Sequence, residues 1–175
     1  AAGAMPPPVQ VAPGVWLAQG ESALGSAANR NFISNAAFVV TQDRVVVVDA
    51  LGSPTLADEL LAHIRRVTPL PVKHVIVTHY HADHVYGLQA LRAAGAEVIA
   101  HERADEYLQS DTAALRLKAS REELFPWIDE QTRLVPPDRR LRGPVTLELG
   151  GTRFELSHAG PAHTPEDLVV WLPER

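Results

Sequence analysis

The alternation of apolar and polar residues divides the chain into short strands and amphipathic helices. Val15 to Ala18, Ala36 to Thr41 and Val45 to Asp49 read as strands. Val45-Val46-Val47-Val48 is too uniformly apolar for a sheet with one wet face, which predicts a strand buried on both sides. Ser53-Pro54 is a helix start, with a capping hydroxyl ahead of a proline at the first helical position. Leu56, Leu60, Leu61, Ile64 and Val67 then follow on one stripe until Pro69 and Pro71 end the helix. Val72 to Thr78 is a second buried strand, so strand, helix and strand form a βαβ unit with a parallel pair.

A further helix is predicted from about Asp83 to Ala94, closed by Gly95, and a third strand from Glu97 to Ala100. Helical patterning returns over Arg103–Gln109 and Ala113–Phe125, with Pro126 as a stop. Val145–Leu149 and Thr152–Leu156 flank Gly150-Gly151, a hairpin whose turn demands positive φ. A loop from Ser157 to Asp167 leads to a last strand, Leu168–Leu172. Parallel units first and an antiparallel hairpin later predict an α+β fold with mixed sheets. Residues 1–14 read as a flexible Pro-rich leader and 15–175 as one domain.

Composition narrows the chemistry. Sixteen Lys+Arg against twenty-one Asp+Glu give a net charge of −5, a poor match to a phosphate backbone, so a small-molecule substrate is expected and nucleic acid is not. No apolar run is long enough to span a bilayer, so no membrane partner is expected. Without cysteine, thiol nucleophiles and thiolate metal sites are excluded, and any metal must be held by His, Asp or Glu. The small, Pro-rich start and the lack of thiols fit a periplasmic or secreted location, with the cytoplasm as the alternative.

The densest chemistry lies in Thr78-His79-Tyr80-His81-Ala82-Asp83-His84, where a strand gives way to a helix, the edge at which α/β sheets present ligands. His79 and His81 are two apart, so on extended chain their rings point the same way. The spacing rules out an HExxH helix site. Gly160-Pro161-Ala162-His163-Thr164-Pro165-Glu166-Asp167 supplies a distant imidazole on a rigid loop. His79, His81 and His163 would make a three-His site with an open fourth position, the pattern of catalytic zinc, whose bound water ionises near neutral pH. Of the other histidines, His101 and His158 sit where a pocket or supporting role is open to them, whereas His63 reads as a boundary or surface residue beside Ile64 and His74 lies in the strand before the motif on a face the alternation does not fix. Tyr80 and Tyr86 flank the motif, Thr164 and Asp167 are placed to orient the His163 loop, and Trp127 either caps the helical region or covers the pocket.

HxHxDH after a buried strand, GPAHTPEDLVVWLP downstream and Asp49 closing VVVVDA resemble the metallo-β-lactamase superfamily from about Val15 onward. The segment Asn29–Phe38 is more similar to exported zinc metallohydrolases associated with sulfur-oxidation and quinoprotein systems. His84 brings the chain closer to hydrolases of the glyoxalase II type. The resemblance implies an αββα sandwich and one or two Zn2+ ions. His79, His81 and His163 would bind the first metal, with Asp83 and His84 in a second site. Asp83 would orient the nucleophile, and Asp49 would hold the ligand loop by hydrogen bonds. His81 stands where flavodiiron relatives carry glutamate, which favours hydrolysis over redox chemistry.

The implied activity is a zinc-dependent hydrolase whose metal-bound hydroxide attacks a carbonyl of a β-lactam, ester or thioester-like substrate. Members of the superfamily continue to a bridging carboxylate and a last His that these residues do not contain. The second half of the sandwich is therefore expected to be incomplete. The alternative is a truncated metal-binding module, inactive without its other half or a partner chain. A free Leu168–Leu172 edge would favour a homodimer or strand exchange.

Overall fold

The computed structural model describes residues 5–20, 26–29, 31–32, 34–78, 85–142, 144–158 and 168–173. Four strands open the fold: β1 (Val9–Ala12), β2 (Val15–Ala18), β3 (Ala36–Val40) and β4 (Val45–Val48). They form an antiparallel meander. Helix α1 (Pro54–Val67) then crosses to β5 (Val72–Ile76), which pairs parallel to β4 as expected of a βαβ unit. Helix α2 (Leu88–Ala93) leads to β6 (Glu97–His101), which lies parallel to β5. Helices α3 (Ala104–Leu108) and α4 (Asp111–Glu123) precede β7 (Arg139–Leu141), parallel to β6. The seven strands lie in sequence order in one mixed sheet. Strands β8 (Val145–Leu149), β9 (Thr152–His158) and β10 (Leu168–Trp171) make a separate antiparallel sheet in the order β10-β9-β8.

Alternation along the strands serves two cores at once. Phe38, Val45, Val47, Val75, Val77 and Val98 face the helices and pack with Leu56, Leu60, Ile64, Leu88 and Leu91. Val39, Val46, Ile76 and Ile99 point the other way, against Leu149, Phe154 and Leu156 of the small sheet. The described residues therefore stack helix, sheet and sheet, and the all-valine β4 is apolar because it contributes to both cores. This is the α+β architecture with mixed sheets that the sequence predicts.

Local signals hold where they were strongest. Ser53 caps α1 by accepting a hydrogen bond from the Leu56 N–H at 3.2 Å, and Pro54 takes the first turn. Gly150 and Gly151 carry φ of 60° and 80°, the left-handed pair that a two-residue hairpin turn requires.

Two expectations are corrected, and one strand was not expected. Part of the stretch read as leader is built into the fold. Val9–Ala12 pairs with β2, and Met5 is buried, its carbonyl accepting from His63 Nε2 at 3.0 Å. Arg66 Nη1 lies 3.3 Å from His63 Nδ1, and a guanidinium can only donate, so the proton facing Met5 sits on Nε2. Strand β7 went unpredicted because Arg139-Arg140-Leu141 has no apolar alternation. The predicted 83–94 helix is interrupted: residues 83 and 84 lie outside the described residues, Val85 is helical, Tyr86 and Gly87 form a turn, and α2 runs over Leu88–Ala93.

Candidate metal centre

All five predicted ligands, His79, His81, Asp83, His84 and His163, lie outside the described residues, as do Tyr80, Thr164 and Asp167. Among the described residues no group of three or more His, Asp or Glu side chains could hold a metal ion. What the structure describes is the frame from which the predicted ligand segment departs and to which it returns.

The frame is the edge where β4, β5 and β6 end. Asp49, directly after β4, is buried, with its N–H donating to Ile76 O at 2.9 Å. Its Oδ1 accepts from the Thr78 N–H at 2.8 Å, and the Thr78 hydroxyl lies 3.0 and 2.7 Å from the two carboxylate oxygens. Thr78 is the residue before His79, so the carboxylate fixes the chain at the point where the predicted ligands begin. This is the contact expected of Asp49.

Asp49 and Leu51 adopt φ of 66° and 67°, left-handed values that cost a non-glycine residue about 1–2 kcal/mol. The turn they form also receives the other end of the ligand segment. The Gly87 N–H donates to Leu51 O at 3.3 Å, and a Cβ on Gly87 would run into Ala50 O. Val85 and Tyr86 are fully buried, and the Tyr86 hydroxyl shares a hydrogen bond of 3.3 Å with Ser120 Oγ of α4. Burial raises the Tyr86 pKa, and the phenol stays protonated.

The loop between β2 and β3 reaches the same edge. Asn31, buried at a φ of 59°, donates from Nδ2 to Gly52 O at 2.9 Å. Trp127 Nε1 donates to Ala27 O at 2.7 Å, which ties that loop to the segment after α4. Trp127 thereby acts as a strut between the segment after α4 and the loop. Asn31 and Ser120 were not singled out from the sequence. The signal for Asn31 is that asparagine tolerates left-handed backbone; nothing local marks Ser120.

The remaining histidines divide as follows. His101 ends β6 on the same edge, buried, with Nδ1 accepting from the Arg103 N–H at 3.1 Å, so one ring nitrogen serves the backbone turn. His158 ends β9 opposite Leu168. His74 sits on β5 away from the edge, and it receives Arg44 Nη1 on Nε2 at 3.1 Å. Its Nδ1–H therefore faces Glu97 Oε1, also at 3.1 Å, and Arg139 Nη2 reaches the same carboxylate at 3.1 Å. Burial, more than any charge, lowers the His74 pKa, and Glu97 opposes the shift. His63, expected at a boundary or on the surface, is instead buried, and both it and His74 are held by hydrogen bonds within the fold.

The metallo-beta-lactamase superfamily model matches residues 29–175, and the chain belongs to that superfamily. The metallo-beta-lactamase type 2 of Bacillus sp. (strain 170) is 33% identical over 141 residues, which is 81% of this chain and 47% of that protein. The type 2 enzyme of Bacillus cereus is 29% identical over 160 residues, 91% of this chain and 53% of that protein. The chain thus spans about half the length of these curated relatives. Among solved structures, the stereoselective inverting sec-alkylsulfatase from Pseudomonas sp. superposes with a TM-score of 0.72 at 18% identity, over 95% of this chain and 29% of the other. A metallo-beta-lactamase from Pontibacter korlensis gives 0.67 at 23% identity, over 95% and 66%. Both likenesses concern the fold.

Proposed function

We propose that the protein is a zinc-dependent hydrolase acting on a carbonyl centre of a β-lactam, ester or thioester-like small molecule. One observation carries the reading: HxHxDH starts at the residue after Thr78, which the buried Asp49 carboxylate holds at the edge where β4, β5 and β6 all end. Membership of the superfamily supports it, as does the similarity to enzymes named metallo-beta-lactamases.

The donor set fits the metal. Imidazoles with a carboxylate, in a chain without thiolates, suit a borderline divalent cation. His79, His81 and His163 are assigned to the first ion, and Asp83 and His84 to a second where one binds. Zinc, when bound, supplies a Lewis acid and a water acidic enough to ionise near neutral pH. The protein's own share is positional. Asp49 and Thr78 set the entry of the ligand segment, and Asp83 is assigned to orient the attacking water by accepting its hydrogen bond. The net charge of −5 favours a small-molecule substrate over nucleic acid, and the reading includes an exported location.

Zinc content, with turnover of a chromogenic cephalosporin and of p-nitrophenyl acetate, tests the proposal on wild type and His81→Ala. The expected result is zinc uptake and turnover in wild type and loss of both in the variant. Equal zinc content in the two would overturn the ligand assignment. Zinc uptake without turnover would favour the alternative, a metal-binding module that needs further polypeptide or a partner chain to act.

A further inference from the structure

We propose that Tyr86, through its hydrogen bond to Ser120, is a positioning residue that fixes the exit of the ligand segment, as Asp49 fixes its entry. The inference rests on the metal-binding reading above and concerns residues outside the predicted ligand set.

The two ends of the segment come to one support. Thr78 is bound to the Asp49 carboxylate, and nine residues later Gly87 is bonded to Leu51 O and seated against Ala50 O. A single left-handed turn, Asp49-Ala50-Leu51, therefore sets the separation of the ends. Separation alone leaves the returning chain free to rotate about its own axis. The Tyr86 ring, fully buried two residues beyond His84, can be anchored by packing, but packing is non-directional. Its hydroxyl adds a direction, because a buried phenol must find its partner and Ser120 Oγ is 3.3 Å away.

Ser120 is a fixed point. Its helix is capped at the start by Ser110, whose Oγ accepts from the Ala113 N–H at 3.1 Å. Near its end, Arg121 donates to Asp129 O at 3.0 Å and to Thr132 O at 2.7 Å. Beyond it, Trp127 is bonded to Ala27 O. Four residues on from Ala27, Asn31 returns to Gly52 O, beside the turn where the circuit began. The contacts close a ring: turn, Gly87–Tyr86, Ser120, Trp127, Ala27, Asn31, turn. A ring constrains orientation more tightly than an open series of contacts, since no member can swing without stretching its neighbours.

Metal affinity includes the cost of ordering the donors, so a frame that orders them in advance raises affinity without touching the ion. Tyr86→Phe keeps the ring packing and removes only the hydroxyl, and Ser120→Ala removes the partner. Zinc affinity of the 175-residue chain, by competition with a chromogenic chelator, is the readout, with thermal unfolding of the zinc-free forms alongside. One net hydrogen bond, transmitted in full, corresponds to about a fivefold change in affinity. Each single variant is expected to bind zinc about fivefold more weakly, and the double variant no more weakly than either single. Wild-type affinity in Tyr86→Phe with a lowered unfolding temperature would overturn the inference, because the bond would then serve stability alone. A wild-type chain that takes up no zinc would overturn this inference and the functional reading together.

Discussion

Replacing Asp49 tests the frame most directly, because its side chain and its backbone make separable demands. The carboxylate accepts two hydrogen bonds from Thr78, the N–H at 2.8 Å and the hydroxyl, whose one proton is shared between oxygens at 2.7 and 3.0 Å. Hydrogen bonds to a charged group contribute about 1.5–3 kcal/mol each. The φ of 66° adds a backbone cost of about 1 kcal/mol for alanine, which glycine avoids and asparagine largely tolerates. Asp49→Ala therefore loses both bonds while the strain, already present in wild type, stays, a loss of about 4–5 kcal/mol, taking each bond near the middle of its range. Asp49→Asn keeps a carbonyl for the Thr78 N–H but turns an NH2 toward the hydroxyl, a cost of about 1–2 kcal/mol. Asp49→Gly falls between them, since it relieves φ but adds freedom to the unfolded chain.

Urea unfolding in chelator at pH 7.5, followed by circular dichroism, gives these differences. The order Asn, Gly, Ala from mildest to most severe is the expected signature. A coupling of about 1.5–3 kcal/mol between Asp49→Ala and Thr78→Val in a double-mutant cycle would confirm where the energy resides. An Asp49→Ala protein within about 0.5 kcal/mol of wild type would refute the reasoning, since that is the scatter of an ordinary surface substitution.

Two further outcomes follow, one at the frame and one at the buried histidine of β5. Gly87→Ala places a methyl against Ala50 O, a backbone atom that cannot step aside, so it should destabilise the chain by about 1–3 kcal/mol and weaken zinc binding, read by urea melts and chelator competition. His74 has a folded pKa below its ordinary 6.5, so the unfolded chain takes up the proton first as the pH falls. Its contribution is complete above pH 6.5 and is lost as the pH drops below that value, with a slope of at most about 1.4 kcal/mol per pH unit. Urea melts at pH 7.5 and 5.5 should show a smaller acid loss in His74→Gln than in wild type; equal losses would mean that other groups carry it.

Legibility in the sequence followed the range of the interactions. Strand β4, α1 with its Ser53 cap and the Gly150-Gly151 hairpin were readable because their causes lie within a few residues. Strand β1 was hidden by the prolines around it, and its Val9 and Val11 are exposed, so burial supplies no alternating signal there. The site divides in the same way. The role of Asp49 was implied by the resemblance to the metallo-β-lactamase superfamily, carried by Asp49 closing VVVVDA; its local sequence alone reads as a turn residue at a strand end. Asn31 and Ser120 were not legible, because Asn31 acts on Gly52, 21 residues away, and Ser120 on Tyr86, 34 residues away. Neither neighbourhood carries any trace of its partner.

The positive φ values at Asp49 and Leu51 couple the core to the sheet edge. Glycine would adopt that turn most cheaply, yet each position carries a side chain that glycine lacks. Asp49 needs its carboxylate for Thr78, and Leu51 is fully buried in the helix-side core. Burying a leucine contributes about 1.5–3 kcal/mol, comparable with the strain at its own φ, so the core itself holds the turn in a conformation that a free chain would avoid. The turn then offers Leu51 O to Gly87 and the Asp49 carboxylate to Thr78 from one rigid piece. Stability spent in the core is thereby converted into a fixed spacing at the edge, which is what the proposed metal donors between Thr78 and Gly87 would require.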